Sequence, residues 1–218
     1  MKRDIASYRT RLQDEAGAEK YAARFERGSR ARIDRREQRA VQRIFSSLAG
    51  CHVVLDVPCG AGRFAKTLAG DRRRVIGVDS AREILVHAQR RAARSGVRAA
   101  FLQGDAARLP FAPDAVDAVF CNRLLHHIVK ADERAAILRE LRRVSRRYLV
   151  VSFFDYQGFA TVRRLLKALK GSKPQYRGQP TREQFERELE ACGFRVLELV
   201  PTGPAWVTQR YFVLEKTG

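Results

Sequence analysis

Residues 53–65 read Val53-Val54-Leu55-Asp56-Val57-Pro58-Cys59-Gly60-Ala61-Gly62-Arg63-Phe64-Ala65. A short apolar run stops at an acid, a turn with two glycines follows, and a helical pattern begins. Positions 60 to 65 satisfy G-x-G-x-x-A, a nucleotide-binding fingerprint. Its physics is general: glycines let the backbone approach a ligand closely, and a helix N-terminus comes next. A strand, turn and helix of this kind predict an α/β domain with a parallel sheet.

The pattern repeats downstream. Apolar runs at 74–79, 99–102, 115–121 and 148–154 read as four more strands, with Asp117 the one interruption of the fourth run. Near-continuous apolar runs suit strands buried on both faces. Helical patterns separate the strands at 63–68, 81–95, 124–128 and 132–144. Strand–helix alternation predicts helices on both faces of the sheet, joined by right-handed crossovers. Beyond Phe154 the alternation breaks. Thr181 to Ala191 reads as a helix, with Thr181 as N-cap and Gln184 at the capping-box position. Residues 194–200 and 210–215 read as two last strands. Their short connection, starting at Pro201-Thr202-Gly203-Pro204, has no helix, so the pair is expected to be antiparallel.

The fingerprint alone fits an NAD enzyme as well as a methyltransferase. The acids around it separate the two. Asp56 lies four residues before the first glycine, where it can neutralise the ammonium of S-adenosylmethionine and would repel a pyrophosphate. Asp79 ends the second strand and can accept from both hydroxyls of a ribose, which fits either cofactor. Asp105 ends the third strand and can accept from an adenine amino group.

With these residues the chain resembles the class I S-adenosylmethionine-dependent methyltransferases, and most of all their small-molecule, ubiquinone-biosynthesis-like branch. The resemblance runs from about Val53 to Phe154. It comprises D-V-P-C-G-A-G-R-F-A, G-V-D-S at 77–80, G-D-A-A-R-L-P-F at 104–111, the run 114–122, L-L-H-H-I at 124–128 and L-R-E-L-R-R-V at 138–144. It implies a Rossmann-like seven-stranded sheet in order 3-2-1-4-5-7-6, with strand 7 alone antiparallel. It implies S-adenosyl-L-methionine as cofactor and S-adenosyl-L-homocysteine as product. Residue by residue, it implies that Gly60 and Gly62 approach the methionine part, with Asp56 near its amino group. Asp79 would hold the ribose. Asp105 and the backbone of Ala106 would hold the adenine, and Cys121 and Asn122 would floor the sulfonium. Pro58, Cys59 and Ser80, in the same turns, join the cofactor-binding set. Two departures stand out. Pro58 replaces a common glycine, which stiffens the turn and removes a donor. Ser145-Arg146-Arg147 replaces the usual K-P-G-G turn before strand 5.

Methyl transfer from a sulfonium is an in-line displacement, so the protein mainly aligns the two reactants. A base is needed only where the acceptor must lose a proton. His126 and His127 follow strand 4 and are the candidates; on a helix they would point about 100° apart, so one of them is expected to face the site. The family often has a His at the position matching His127. Cys51, Cys59, Cys121 and Cys192 form no C-x-x-C pair and no metal-ligand spacing, and are expected to be reduced, mostly buried thiols. The P-C context of thiol-using RNA methyltransferases and the N-P-P-Y-type motif of amino-methylating nucleic-acid enzymes are both absent after strand 4.

Four segments are expected within one domain: a helical cap over 1–46, a cofactor core over 47–155, a variable basic acceptor-side segment over 156–193, and the terminal strand pair over 194–218. The cap carries 13 basic and 7 acidic residues with sparse apolar positions, Tyr21, Phe25, Ile33, Val41, Ile44 and Phe45. Tyr21 and Phe25 could close over the cofactor as a lid. The stretch Phe159 to Lys170 is amphipathic and basic, and no acid occurs from Gly158 to Arg182.

The 218 residues suit a single domain. With 45% hydrophobic and 31% charged residues the chain is neither disordered nor fibrous. No run nears the roughly 20 apolar residues of a membrane span, and the mixed charge of Met1-Lys2-Arg3-Asp4 argues against a signal peptide. A cytoplasmic location is the default expectation. The net charge is +19, from 43 Lys and Arg against 24 Asp and Glu. Such a field attracts anions, whether nucleic acid, acidic headgroups or acidic substrates; an Arg-rich solvated surface accounts for it equally well. The reading is methyl transfer to a small, anionic or amphiphilic acceptor. An RNA or protein methyltransferase, and a catalytically silent cofactor-binding protein, remain the alternatives.

Overall fold

The computed structural model describes residues 15–25, 28–70, 72–155 and 179–218. The basic stretch from Phe159 to Lys170 lies outside these residues.

Seven strands form one sheet: β1 Val53–Asp56, β2 Arg74–Asp79, β3 Ala99–Gln103, β4 Val116–Cys121, β5 Ser145–Phe154, β6 Phe194–Pro201 and β7 Gln209–Lys216. Their order is β3-β2-β1-β4-β5-β7-β6. The first five pair in parallel, and β7 runs antiparallel to both β5 and β6. The expected architecture is the observed one, antiparallel terminal pair included.

The described helices are α1 Glu15–Ala22, α2 Gly28–Ser47, α3 Ala65–Ala69, α4 Arg82–Arg94, α5 Ala131–Val144 and α6 Arg182–Ala191. Two 3-10 turns add to them, at Ala23–Phe25 and Leu125–His127. The capping box at Thr181 is present: its hydroxyl accepts from Gln184 N–H at 3.2 Å, and Gln184 Oε1 accepts from Thr181 N–H at 2.8 Å.

Alternation along the central strands builds two cores. Leu55, Val119, Leu149 and Val151 face α5 and α6, against Leu138, Leu141, Phe185 and Leu189. Val54, Phe120, Tyr148 and Val150 face the other way, against Val41, Ile44 and Phe45 of α2 and Leu68 of α3. A side-chain period of two dictates this split. β4, between β1 and β5, is buried along its whole length. β3 is one edge of the sheet and stays half-exposed, so full burial of every apolar run was too strong an expectation.

Asp117 interrupts β4 for a local reason. Its Oδ2 accepts from the N–H groups of His52 and Val53, both at 2.9 Å, and its Oδ1 pairs with Arg146 at 2.7 Å. The acid thus satisfies backbone donors at the start of β1 that no neighbouring strand serves. A second correction concerns Ser145-Arg146-Arg147. These residues are not a turn: α5 passes directly into β5, which begins at Ser145.

Candidate cofactor and acceptor site

β1, β2 and β3 are adjacent and parallel, so their carboxyl ends lie along one edge of the sheet. Asp56 ends β1, Asp79 ends β2, and Asp105 follows β3 after one glycine. The structure therefore brings together the three acids read from sequence, at the place where open α/β sheets bind ligands.

Their environments differ. Asp79 is 6% exposed and already works on the backbone. Its Oδ2 accepts from Gly60 N–H at 2.8 Å and its Oδ1 from Ala81 N–H at 3.1 Å. It thus ties the glycine turn to the end of β2, and Gly60 itself sits at φ +52. Ser80 carries no base or acid, and its carbonyl accepts from Gln103 at 3.0 Å. Asp105 Oδ1 accepts from Ala107 N–H at 3.0 Å, which folds the Asp105–Ala106 turn on itself. Asp56 is 1% exposed, and its Oδ2 has no hydrogen-bond partner. Burial pushes its carboxyl well above the usual carboxylate range; Arg63 opposes the push and Asp79 adds to it. A buried carboxylate oxygen without a donor is costly, and a bound ammonium is the kind of group that would satisfy it.

Gly62 has a second reason to be glycine. At φ +66, a Cβ there would meet Ala88 of α4 at 3.0 Å. The fingerprint glycine is thus also a helix-packing glycine. The bond after Val57 is a cis peptide to Pro58.

Cys121 and Asn122, expected as the floor of the site, are both buried. Cys121 belongs to the core cluster around Leu55 and Val57. Asn122 Oδ1 accepts from Gln209 Nε2 and from the Tyr211 hydroxyl, each at 3.3 Å. Cys59 packs near Gly77, where an added Cβ would come within 3.0 Å of its sulfur. All four cysteines are buried free thiols. Burial raises Cys59 and Cys121, and the charge of Asp56 raises both further. Thiolate nucleophiles need the opposite shift. Among the described residues, no group of three or more His, Cys, Asp or Glu is placed to hold a metal ion. Nor is any of their helices long and apolar enough to cross a membrane.

The two histidines lie on a single 3-10 turn instead of a longer helix, and the expected divergence is absent. Their ring centroids are 3.8 Å apart, and His126 also lies 4.6 Å from the ring of Phe154. Burial holds His126 down to about 2, with His127 and Arg123 opposing its protonation as well. His127 is lowered by burial, then by Arg123 and Arg24. Both imidazoles are therefore neutral at pH 7. The His126 shift has a stability consequence. Below the ordinary value of 6.5, the unfolded chain binds a proton at this position that the folded chain refuses. Stability present above pH 6.5 is lost as pH falls toward 2, by on the order of 1 kcal/mol per pH unit. Asp56, raised, works in the opposite direction, so the contribution must be isolated by difference. Between pH 6.5 and 4.5, the wild-type chain is expected to lose stability more steeply than His126→Asn in urea titrations. Parallel pH profiles would mean that His126 is protonated in the folded protein.

Sequence reading missed a buried ion network beside these residues. Glu37 of α2 is fully buried. Its Oε2 lies 2.6 Å from Arg63 Nη2, and its Oε1 accepts from Arg123 Nε at 3.2 Å and from Arg123 Nη2. Asp34 also pairs with Arg63, and Gln38 Nε2 donates to the Arg63 carbonyl at 2.9 Å. Phe25 covers both guanidiniums, at 4.3 Å from Arg63 and 5.5 Å from Arg123. Of the two expected lid residues, Phe25 therefore lies over the arginines; the Tyr21 side chain lies outside the described structure. A signal did exist in the sequence. Glu37 shares the helix face of Val41 and Ile44, at i+4 and i+7, and an acid on an apolar stripe requires a buried partner.

Comparison with known proteins bears on the family and the fold. Residues 54–147 match the model of a methyltransferase domain. An uncharacterized methyltransferase of Bacillus subtilis, YcgJ, is 36% identical over 107 residues, covering 47% of this chain and 41% of that protein. A ubiquinone biosynthesis O-methyltransferase of Azorhizobium caulinodans is 29% identical over 157 residues, covering 67% of this chain and 60% of that protein. The chain thus spans about half the length of the curated relatives it matches. Among solved structures, a magnesium protoporphyrin IX methyltransferase from Synechocystis with bound SAH superposes with a TM-score of 0.77 at 20% identity. That match covers 98% of this chain and all of the other, so the whole fold is shared.

Proposed function

We propose that this chain, whose residues 54–147 match the model of a methyltransferase domain, transfers a methyl group from S-adenosylmethionine to a small-molecule acceptor. The observation that carries the reading is the row of Asp56, Asp79 and Asp105 along the carboxyl ends of three adjacent strands. The unpartnered Oδ2 of Asp56 suits the ammonium of the cofactor. Asp79 would bind the ribose while keeping its two backbone bonds, because a carboxylate offers about four lone-pair sites. Asp105 and the Ala106 backbone would take the adenine. The turn of Pro58, Cys59, Gly60 and Gly62 would border the methionine part, with Ser80 beside the ribose and Cys121 and Asn122 below. The cofactor supplies an electrophilic methyl group; the chain supplies alignment and, from His127, a proton acceptor.

His127 is taken as the base because His126 is enclosed, its ring 4.6 Å from that of Phe154 and its Nδ1 buried without a partner. The acceptor then carries a removable proton next to the incoming methyl. An anionic or amphiphilic acceptor is supported by the net charge of +19 and by the acid-free, basic stretch from Gly158 to Arg182. The same charge supports an RNA acceptor as the second reading, which salt-sensitive retention on RNA would favour.

Calorimetry is expected to register binding of S-adenosylmethionine and S-adenosylhomocysteine, and none of NAD. Labelled cofactor with cell extract, treated or untreated with nuclease and protease, then identifies the acceptor class. Preferential NAD binding would overturn the reading outright.

A further inference from the structure

α2 is attached to the core in two different ways along its length. Its second half is held by apolar packing of Val41, Ile44 and Phe45. Its first half has little apolar contact, and Ile33 there is 40% exposed. What fixes that half is the ion set of Asp34 and Glu37 on Arg63 and Arg123. Each arginine is one residue beyond a turn assigned to the cofactor: Arg63 follows Gly62, and Arg123 follows Asn122. Arg123 has φ +60, a conformation uncommon outside glycine, and its N–H donates to Ser152 Oγ at 2.6 Å. Both its backbone and its side chain are thus held in place.

We propose that Glu37 is a positioning residue that couples docking of the N-terminal cap to cofactor binding, by holding Arg63 beside the glycine turn and Arg123 beside the end of β4. The proposal rests on the function inferred above. One carboxylate serves two guanidiniums that belong to two different ligand turns. Displacement of either turn moves its arginine, and with it the acid, the first half of α2 and Phe25. Conversely, a cofactor that fixes both turns fixes the cap. No other acid on α2 contacts both arginines in the described structure.

The test uses the full chain and S-adenosylhomocysteine as probe. Affinity is read by calorimetry. Cap docking is read as the trypsin cleavage rate at the exposed Arg30, Arg32 and Arg35, with and without saturating probe. In the wild type the probe is expected to slow cleavage at least about tenfold. Glu37→Gln keeps the shape and removes the charge; it should bind the probe about tenfold more weakly, and saturating probe should no longer protect the cap. Glu37→Asp keeps the charge on a shorter stem and should fall between the two, which decides the matter if Glu37→Gln does not fold. Arg43→Gln, on the same helix, breaks the exposed pair with Glu198 of β6 and should behave as wild type. A merely structural Glu37 would lower stability yet leave the protection ratio of the folded protein unchanged. Wild-type affinity and protection in Glu37→Gln, or in Glu37→Asp if only that folds, would overturn the proposal. So would a wild type that binds the probe without protection of the cap. A wild type that does not bind the probe would instead bring down the proposed function, and the coupling with it.

Discussion

Asp79→Ala is expected to weaken S-adenosylmethionine binding by about 100-fold, or close to 3 kcal/mol. Two losses combine in this variant. The ribose hydroxyls would lose a charged acceptor, and Gly60 and Ala81 would lose the acceptor of their N–H groups. Asp79→Asn separates the two. Its one carbonyl oxygen can still serve one of the backbone donors, so it should bind more tightly than the alanine variant and less tightly than the wild type. Calorimetry with S-adenosylmethionine and with S-adenosylhomocysteine should give equal losses, because the ribose is the same in both. A dissociation constant unchanged in Asp79→Ala would mean that the ribose is held elsewhere.

His127→Asn is expected to lower kcat by about 100-fold while S-adenosylhomocysteine affinity stays within about twofold. General base catalysis contributes at least that much when a proton must leave in the transition state. Burial, Arg123 and Arg24 hold His127 neutral below the ordinary imidazole value. A base must be unprotonated, so the rate should stay level as pH falls through 6.5 and decline only further down. His126→Asn should cost less, because His126 is the more deeply enclosed ring, packed against Phe154. Loss of affinity equal to the loss of rate would move His127 to a cofactor-holding role. An unchanged kcat would mean that the acceptor loses no proton to this residue.

The row of three acids was legible because its signals are local. Asp56, Asp79 and Asp105 each stand at the end of an apolar run, and strand ends can be read one at a time. The capping box at Thr181 was legible for the same reason, since its partners are three residues apart. The histidine turn was legible only in part. Its position after β4 followed from sequence, but a short 3-10 turn that brings the two rings together beside Phe154 depends on β5 arriving there. The Ser145–Arg147 segment was misread because a helix that runs straight into a strand leaves no turn residue to see.

By itself, the sequence determined the α/β class, the seven strands, the antiparallel terminal pair and the row of acids. Periodicity and chain punctuation are one-dimensional and show the elements one at a time; the strand order came from the resemblance to the family. Only the tertiary structure decided what Glu37, Arg63 and Arg123 do. They lie 26 and 86 residues from one another along the chain, counting from Glu37. A buried acid must find its cations wherever the fold places them, and charge pairing in space leaves no fixed spacing in sequence. The same holds for Gly62, whose second role against Ala88 exists only once α4 has packed beside the turn.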